Sequence, residues 1–256
     1  MSESSSGRSA SDSQKRLDWL RTQLAEAGSV TIVGAVEALG ASAMTIRRDL
    51  ATLQALGEAR RVRGGAQALG PSLFRTRSPR NARAKIVIAE KVLPMVPPTG
   101  AIAIDSSSTM ACLANVLASA RDLLVITNGL EVFDVLQGRP GIRALLTGGE
   151  RDERTSSLVG PVACAAAGSF RYDVAFLSAA AVDPRIGGLE ATPEEASIVQ
   201  AFARQSSCVV LGVDSSKLDS DAPVVGLRWE QIDVVVTELS PENERLSAIR
   251  GRVPLS

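Results

Sequence analysis

The 256-residue chain contains no histidine and only three cysteines. Histidine is the commonest general base of enzymes and the commonest metal ligand, so any enzyme chemistry here would depend on carboxylates and lysines. Cys112, Cys164 and Cys208 are far apart and have apolar neighbours. Their spacing fits neither a zinc site nor a set of disulfides, and it is typical of small buried hydrophobic residues. The sequence therefore predicts no metal site and no cofactor.

Long apolar runs are missing as well. The apolar runs, such as AIAI at 101–104 and VVV at 234–236, are much shorter than the roughly 20 residues that cross a bilayer. The serine-rich N-terminus, MSESSSGRSASDS, has no apolar segment of the kind that directs secretion. These features predict a cytoplasmic protein without membrane contact, which begins with a disordered tail over residues 1–14. With 45% hydrophobic residues, the remainder can form packed domains.

The formal net charge is zero, but the charge is unevenly distributed. Residues 1–80 contain 12 Lys/Arg and 7 Asp/Glu, whereas residues 81–256 contain 16 and 21. The stretch 60–80 has six arginines and no acidic residue. This asymmetry indicates a domain that binds a polyanion, followed by an acidic second domain.

Three short helices are predicted in the first eighty residues. Thr31 and Ser42 are suited to cap the second and third helices, because their side chains can accept the free N–H groups of a first turn. Ile46, Leu50 and Leu53 recur at helical spacing, so they predict the buried stripe of the third helix. The expected helices, each followed by a glycine, cover about 13–27, 32–39 and 43–56.

On the side opposite its buried stripe, the third helix is expected to expose both polar and apolar side chains. At roughly 100° per residue, Met44 and Arg48 lie opposite Ile46, with Thr45 and Arg47 on the flanks. Arginine can pair with guanine through two hydrogen bonds, and threonine can contact a phosphate or a thymine methyl group. Such a surface suits a recognition helix in the major groove of DNA. The alternative is a solvated helix face without a partner.

The segment EARRVRGGAQ follows at 58–67. It predicts two short strands joined by a turn at Gly64 and Gly65, a wing edged by arginines that can contact phosphates. Together with the tight turn between the second and third helices, the wing favours DNA binding over a solvated surface. The wing arginines are Arg60, Arg61 and Arg63.

The segment SVTIVGAVEALGASAMTIRRDLATLQALGEARRVRGGA resembles the winged helix-turn-helix of the DeoR family of bacterial transcriptional regulators. The likeness rests on Ser42, on TIRRDL at 45–50 and on RVRGGA at 61–66. Where the family usually has a histidine before its Gly-Gly, this chain has Arg63. Asp49 lies near the buried stripe and is expected to pair with a neighbouring arginine. The resemblance implies DNA contacts at Ser42, Thr45, Arg47 and Arg48.

Residues 67–82 contain two prolines and several arginines without periodicity, which predicts a linker whose arginines lie near the DNA backbone. From residue 83 to 256, short apolar strands alternate with helices, and this predicts a mostly parallel sheet with helices on both faces. Ligands of such sheets bind beyond the carboxyl ends of the strands. Hydroxyl-rich turns at helix N-termini can hold a phosphate, although the same residue types also serve as ordinary helix caps. The turns expected at that edge are 105–109, 127–129, 147–149, 178–183 and 214–217.

The blocks AIAIDSSST, VITNGLEV, LLTGGERDERTSSLVGP, DVAFLSAAAVD, TPEEA and LGVDSSKL resemble the sensor domain of the DeoR family. That domain is similar in fold to ribose-5-phosphate isomerase and to CoA transferases, and it typically senses phosphorylated sugars. The chain departs from the family pattern at Ser107 (usually Gly), at SAAA over 178–181 (usually Gly-Ala-Asn-Gly) and at Val199 (often Lys). These departures predict an altered pocket. The resemblance implies effector contacts at Asp105, Ser107, Ser108, Thr109, Asn128, Gly148, Gly149 and Lys217.

Three functions are compatible with these patterns. The first is a DNA-binding regulator, a repressor of a carbohydrate catabolism operon, whose affinity for double-stranded operator DNA changes with a phosphorylated sugar or related metabolite. It would act as a homodimer or homotetramer, because one small winged helix buries little surface on DNA. The second is a sugar-phosphate isomerase or CoA-transferase-like enzyme with a DNA-binding head, using Asp105 or Glu190 as base and Lys217 as electrostatic partner. In the third, the pocket is vestigial and DNA binding is independent of any ligand. The sequence favours the first, a regulator that is not an enzyme.

Overall fold

The computed structural model describes residues 4–56, 58–68 and 77–256. The chain divides into two compact units, Met1–Thr76 and Arg77–Ser256. Residues 69–76, half of the predicted linker over 67–82, lie outside the described residues, and residues 77–82 belong to the second unit. Of the described helices, none combines the length and the apolar character that crossing a bilayer requires.

Among its described residues, the first unit contains three helices and a small antiparallel sheet in the order β1-β3-β2. Strands β2 and β3 form the predicted wing, and β1 pairs with the other side of β3. The elements are α1 (Ser4–Ala27), β1 (Ser29–Thr31), α2 (Ile32–Leu39), α3 (Ala43–Ala55), β2 (Ala59–Val62) and β3 (Gly65–Ala68).

Helix α1 begins earlier than the sequence predicted. A disordered tail was expected up to residue 14, but the helix already begins at Ser4. No proline interrupts residues 4–27, so the chain of backbone hydrogen bonds can continue from the packed part of α1 toward the N-terminus. The rest of the expected tail, residues 1–3, lies outside the described residues.

Local caps fix both ends of α2 in the helix-turn-helix. The Thr31 hydroxyl accepts the N–H of Gly34 at 3.1 Å, and Gly40, whose φ of 61° is left-handed, caps the C-terminus of α2. The predicted stripe of α3 is confirmed, because Ile46 and both leucines that follow it at helical spacing are buried. The core of the unit includes Leu20, Leu24, Ile46, Leu50 and Leu53.

The second unit is built on a sheet of six strands in the order β14-β12-β9-β4-β5-β6. Its strands are β4 (Thr99–Ile104), β5 (Asp122–Thr127), β6 (Ile142–Leu146), β7 (Glu150–Asp152), β8 (Ser157–Val159), β9 (Val174–Leu177), β10 (Ala181–Asp183), β11 (Gly187–Glu190), β12 (Val209–Gly212), β13 (Val224–Arg228) and β14 (Val234–Val236). Its helices are α4 (Ala82–Val92), α5 (Ser108–Val116), α6 (Leu130–Leu136), α7 (Gly160–Ala167) and α8 (Pro193–Arg204).

Every pairing within the six-stranded sheet is parallel, which confirms the predicted mostly parallel architecture. From β4, the chain adds β5 and β6 on one side, and β9, β12 and β14 on the other. The strand order therefore reverses between β4 and β9. In open α/β sheets, such a reversal leaves a crevice beyond the carboxyl ends of the two strands.

Packing covers both faces of the sheet, as the alternation of strands and helices predicted. A side chain at Gly212 of β12 would meet Met110 of α5 and Ile88 of α4. The preceding Leu211 points to the opposite face, into a core that also holds Phe202 of α8. Strand residues alternate between faces, so neighbouring positions of one strand contact different helices.

Two smaller sheets were not predicted. Strands β7 and β8 form an antiparallel hairpin, and β10, β11 and β13 form an antiparallel sheet. Residues 178–183, expected as a turn, include the short strand β10, which residues 178–180 separate from β9.

Candidate DNA-binding surface and effector site

The N-terminus of α3 is fixed by two hydroxyl groups. The backbone N–H of Thr45 donates to Ser42 Oγ at 3.2 Å, and the two hydroxyl oxygens lie 2.9 Å apart. Ser42 is therefore the predicted cap of the helix. Because the first N–H groups of a helix have no partner within it, this end is suited to a phosphate oxygen.

Next to this cap, α3 presents the predicted side chains to solvent. Met44 is 72% exposed, Arg47 and Arg48 are exposed, and Thr45 is half-buried. Ile46 on the opposite side is fully buried. The structure thus gives this part of α3 an outward surface with two arginines, a threonine and a methionine.

Asp49 holds the inner side of the same helix. Its carboxylate accepts the Nε–H of Arg16 of α1 at 2.7 Å, and it is 4% exposed. The expectation that Asp49 pairs with an arginine is confirmed, and the partner comes from α1. This ion pair ties α3 to α1, so it stabilises the orientation from which Arg47 and Arg48 project.

The wing carries exposed arginines on a tightly packed hairpin. Arg60, Arg61 and Arg63 are exposed, and Arg60 donates to Gln67 Oε1 of β3 at 3.3 Å. Unlike these exposed arginines, Gly65 is tightly packed: a Cβ atom there would lie 2.0 Å from the carbonyl oxygen of Val30 in β1. The second glycine of the pair thus allows β1 to approach β3.

Asp105, at the end of β4, bridges the strand reversal. One carboxylate oxygen accepts the N–H of Ser107 at 2.9 Å, and the other accepts the N–H of Ser178 beyond β9 at 2.6 Å. Burial raises the pKa of Asp105, and the hydrogen bonds from Ser107 and Ser178 oppose that rise. Asp105 therefore fastens β4 to β9, in addition to the effector contact that the sequence predicts.

The loop after β4 leads directly into α5. Ser107 caps that helix by accepting the N–H of Met110 at 3.1 Å, while Ser108 and Thr109 are buried in the first turn. The neighbouring loop after β5 packs against it, because a Cβ atom at Gly129 would lie 2.8 Å from Ser106 Cα. These two predicted loops are thus brought together.

Asn128 links the loop after β5 to the β7–β8 hairpin. Its Nδ2 donates to the carbonyl of Leu158 at 3.2 Å, and its own carbonyl accepts the N–H of Leu158 at 2.7 Å. The Oδ1 atom is buried without a hydrogen-bond donor among the described residues. A buried acceptor without a donor costs free energy, so a hydroxyl group entering here would be stabilised.

Gly148 and Gly149 follow β6 with φ of 70° and 114°. A Cβ atom at Gly149 would lie 2.6 Å from the carbonyl of Val159, whereas Gly148 has open space around that position. Gly149 thus serves the packing of the hairpin. Gly148 is the glycine that leaves room at the edge of the sheet.

Lys217 lies beyond β12 in a short 3-10 helix whose N-cap is Asp214. Burial lowers the pKa of Lys217, and the nearby Asp214 carboxylate opposes that shift. Glu190 of β11 also interacts electrostatically with Lys217, and burial raises the Glu190 pKa well above its usual range. The residues considered for an isomerase, Asp105, Glu190 and Lys217, therefore belong to one ionic cluster.

For Arg77, one of the arginines of the predicted linker, the structure shows contacts within the second unit instead of the expected position near DNA. Its Nη2 donates to the carbonyl of Thr155 at 3.3 Å, between β7 and β8. Burial lowers its pKa, and the carboxylates of Glu195, Asp105 and Glu190 oppose that shift. The guanidinium therefore belongs to the cluster in the second unit, where these three carboxylates and that of Asp152 attract it.

Sequence reasoning also missed the residues that hold the hairpin to α8. Ser157 Oγ donates to Glu195 Oε1 at 2.7 Å and lies 2.6 Å from Thr155 Oγ1. The signals in the sequence were the run TSS at 155–157 and, separately, a glutamate in the first turn of α8, and both are ordinary for loops and helix starts. Val199, where the family often has lysine, is buried in the core of the unit.

Each of the two units matches a known family of domains. A model described as a DeoR-like helix-turn-helix domain matches residues 16–71, and one described as a DeoR C terminal sensor domain matches residues 80–239. Among solved structures, ribose 5-phosphate isomerase A from Methanocaldococcus jannaschii aligns with a TM-score of 0.39 and 16% identity over 54% of each chain. The eIF2B-beta2-delta2 complex from C. thermophilum aligns with a TM-score of 0.46 and 14% identity over 67% of this chain and 61% of that one.

Curated relatives align over most of the chain. The lactose phosphotransferase system repressor of Lactococcus lactis subsp. lactis is 31% identical over 240 residues, covering 90% of this chain and 93% of that protein. The glycerol-3-phosphate regulon repressor of Escherichia coli K12 is 30% identical over 217 residues, covering 84% and 86%. A putative aga operon transcriptional repressor of Escherichia coli O157:H7 is 25% identical over 242 residues, covering 92% and 90%. With both of its units matched, the chain belongs to the DeoR family of DNA-binding transcriptional regulators.

Proposed function

We propose that this protein represses a carbohydrate catabolism operon and releases its operator DNA when a phosphorylated sugar, or a related anionic metabolite, binds to the second unit. The names of the relatives support the class of operon, since they refer to lactose, glycerol 3-phosphate and aga genes. The observation that carries the DNA-binding part is the exposure of Arg47 and Arg48 beside the capped start of α3. We further propose that the protein acts as a homodimer or homotetramer.

On DNA, the proposal assigns different roles to helix and wing. Arg48, opposite the buried stripe, reads a base edge in the major groove, with Met44, Thr45 and Arg47 beside it. The Ser42 hydroxyl and the wing arginines contact phosphates, which fixes the position of the protein without reading sequence. The wing arginines are Arg60, Arg61 and Arg63.

The effector part rests on the composition of the carboxyl edge of the sheet. Lys217 and Arg77 bring positive charge to a crevice that Asp105 bridges, and the start of α5 adds the hydroxyl-rich turn 107–109. Cations and a helix N-terminus stabilise a phosphate dianion. The buried Oδ1 of Asn128 would accept a sugar hydroxyl.

The test is fluorescence anisotropy of the full-length protein with labelled DNA from the promoter region beside its own gene. The titration is repeated at several salt concentrations with ribose 5-phosphate, glucose 6-phosphate, fructose 1-phosphate, glycerol 3-phosphate and inorganic phosphate. We expect salt-dependent, sequence-specific binding that one sugar phosphate weakens by roughly 5–150-fold. Binding that ignores every sugar phosphate would contradict the effector part, and equal affinity for random DNA would contradict the regulator's DNA-reading surface.

A further inference from the structure

The start of the second unit is tied to the proposed effector site by its side chains. We call residues 77–81 the anchor segment; it follows Thr76, the last residue of the first unit. At one end, Arg77 donates to Thr155 between β7 and β8. At the other end, the Asn81 amide donates to Asp214 Oδ1 at 2.9 Å and to Ser216 Oγ at 3.1 Å.

A buried lysine also forms hydrogen bonds with the backbone of the anchor segment. Lys85, on the first turns of α4, is 3% exposed, and its ammonium group donates to the carbonyls of Arg77 and Arg80. Burial lowers the Lys85 pKa to about 8. A buried ammonium group is costly without hydrogen-bond acceptors, so the anchor segment and Lys85 stabilise each other.

Each loop that the anchor segment contacts belongs to the proposed effector site. Asp214 and Ser216 stand in the same short helix as Lys217, and Asp214 is the carboxylate that partly neutralises that lysine. The hairpin that receives Arg77 is fastened to Asn128. An anion that binds Lys217 therefore competes with Asp214, which is the group that holds Asn81.

We propose that the anchor segment transmits effector occupancy to the DNA-binding unit, and that Asn81 is the positioning residue that connects it to the Lys217 loop. This inference rests on the proposed function. A ligand changes an equilibrium only through contacts that differ between two states. Here the differing contact is the bond from Asn81 to Asp214, which strengthens or weakens as the charge around Lys217 changes. Because Arg77 follows directly on Thr76, the last residue of the first unit, a change in the anchor segment acts on the chain that leads to that unit.

The left-handed backbone of Asn81 allows a clean substitution. Its φ of 54° and ψ of 34° are tolerated by asparagine and by glycine, so Asn81→Gly removes the amide without adding strain. Ser216→Ala is the second variant, because it removes one of the two acceptors and leaves the Asp214 cap in place. Arg83→Ala is the matched control: the residue is exposed in the first turn of α4, two positions from Asn81.

The experiment measures two quantities on each full-length variant: the thermal shift caused by the sugar phosphates named above, and the operator Kd with and without them. We expect Asn81→Gly to keep the thermal shift and the ligand-free operator Kd, while the effect of the ligand on Kd falls from the wild-type ~5–150-fold to within about twofold of unity. Ser216→Ala should reduce the same effect in part, and Arg83→Ala should leave it unchanged.

The outcomes separate the two proposals. If no sugar phosphate shifts the melting temperature or the operator Kd of the wild type, the effector part of the proposed function fails and this inference fails with it. If the wild type responds and Asn81→Gly and Ser216→Ala respond to the same extent, only the coupling role is overturned. Loss of the thermal shift in Asn81→Gly would also overturn it, since Asn81 would then be a ligand contact.

Discussion

At the residue scale, arginines that look alike in the sequence differ in what surrounds them. Arg48 is exposed on α3 opposite the buried Ile46, and Arg61 is exposed on the wing. Arg77 instead lies among carboxylates of the second unit. Charge alone therefore does not define a DNA contact; the element that presents the guanidinium does.

The difference between helix and wing can be tested by substitution. Arg48→Ala should lose about 1–3 kcal/mol of discrimination between operator and random DNA, because a base edge loses its bidentate partner. Arg61→Ala should weaken binding to both DNAs alike and reduce the salt slope by about one unit, because only a phosphate contact is lost. Anisotropy titrations on both DNAs across salt measure both effects. Identical behaviour of the two variants would remove the groove assignment of Arg48.

Glu190 provides a test of the ionic cluster by pH. Burial and the nearby Glu195 and Asp105 raise its pKa in the folded state, so its favourable contribution is complete only below the unfolded pKa and is lost as the pH rises through the folded pKa. Glu190→Gln removes that loss. We expect the variant to melt above the wild type at pH 8, with the difference closing toward pH 5 in calorimetry. Glu194→Gln, the same change at an exposed position of α8, is the control. A constant difference, or a less stable variant at pH 8, would contradict the cluster.

At the element scale, the wing depends on the close approach of three strands. Gly65→Ala would place a Cβ atom 2.0 Å from the Val30 carbonyl, so β1 and β3 could not keep their pairing. We expect the first unit to lose more than about 2 kcal/mol of stability, with a corresponding loss of DNA affinity. The fluorescence of Trp19 in a Trp229→Phe background reports unfolding of that unit, because the chain has only these two tryptophans.

The neighbouring glycine is the matched control for this substitution. Gly64 has a φ of 87° but open space around its Cβ position, and asparagine tolerates a left-handed backbone. Gly64→Asn should therefore cost about 1 kcal/mol or less. Equal effects of the two variants would mean that the turn conformation, and not the contact with β1, decides the stability of the wing.

Local chemistry accounts for the elements that the sequence predicted. Thr31 and Ser42 cap α2 and α3 through their own side chains. The central strands of the parallel sheet, β4, β5, β9 and β12, are short apolar runs because most of their residues are buried on both faces. The β7–β8 hairpin was not predicted, since its strands are three residues long and one of them is ERD. Its position depends on contacts with distant residues, such as Glu195.

The candidate site also has parts that local sequence predicts and parts that depend on distant residues. The loops at the carboxyl edge could be predicted, because the apolar run of the strand that precedes each loop is recognisable in the sequence. The position of Arg77 could not be predicted, since the sequence does not distinguish it from the nearby Arg75 and Arg80. The residues that surround it, Thr155, Glu190 and Glu195, lie far along the chain. Asp49 stands between these cases: its structural role was predicted from the stripe beside it, but its partner Arg16 comes from another helix.

At the scale of the whole molecule, the net charge differs in sign between the two parts of the chain. Residues 1–80 have a net charge of +5 and hold the surface proposed to meet DNA, whereas residues 81–256 have a net charge of −5. The acidic part repels the DNA backbone, and the basic part attracts it. The charge distribution thus favours contact through the first unit alone, and we expect more than one copy of it to contribute to the affinity.

This requirement leads to a prediction about operator spacing. A single small winged helix buries little surface on DNA, so we expect two first units of the proposed homodimer or homotetramer to engage half-sites on one face of the DNA. Inserting about 5 bp between the half-sites turns one of them to the opposite face and should weaken binding by ~100-fold or more, whereas inserting about 10 bp should restore much of it. Anisotropy on the three operators measures this, with analytical ultracentrifugation of the free protein at micromolar concentration. A monomer in the centrifuge, together with affinity that does not depend on spacing, would show that one copy of α3 and its wing is enough.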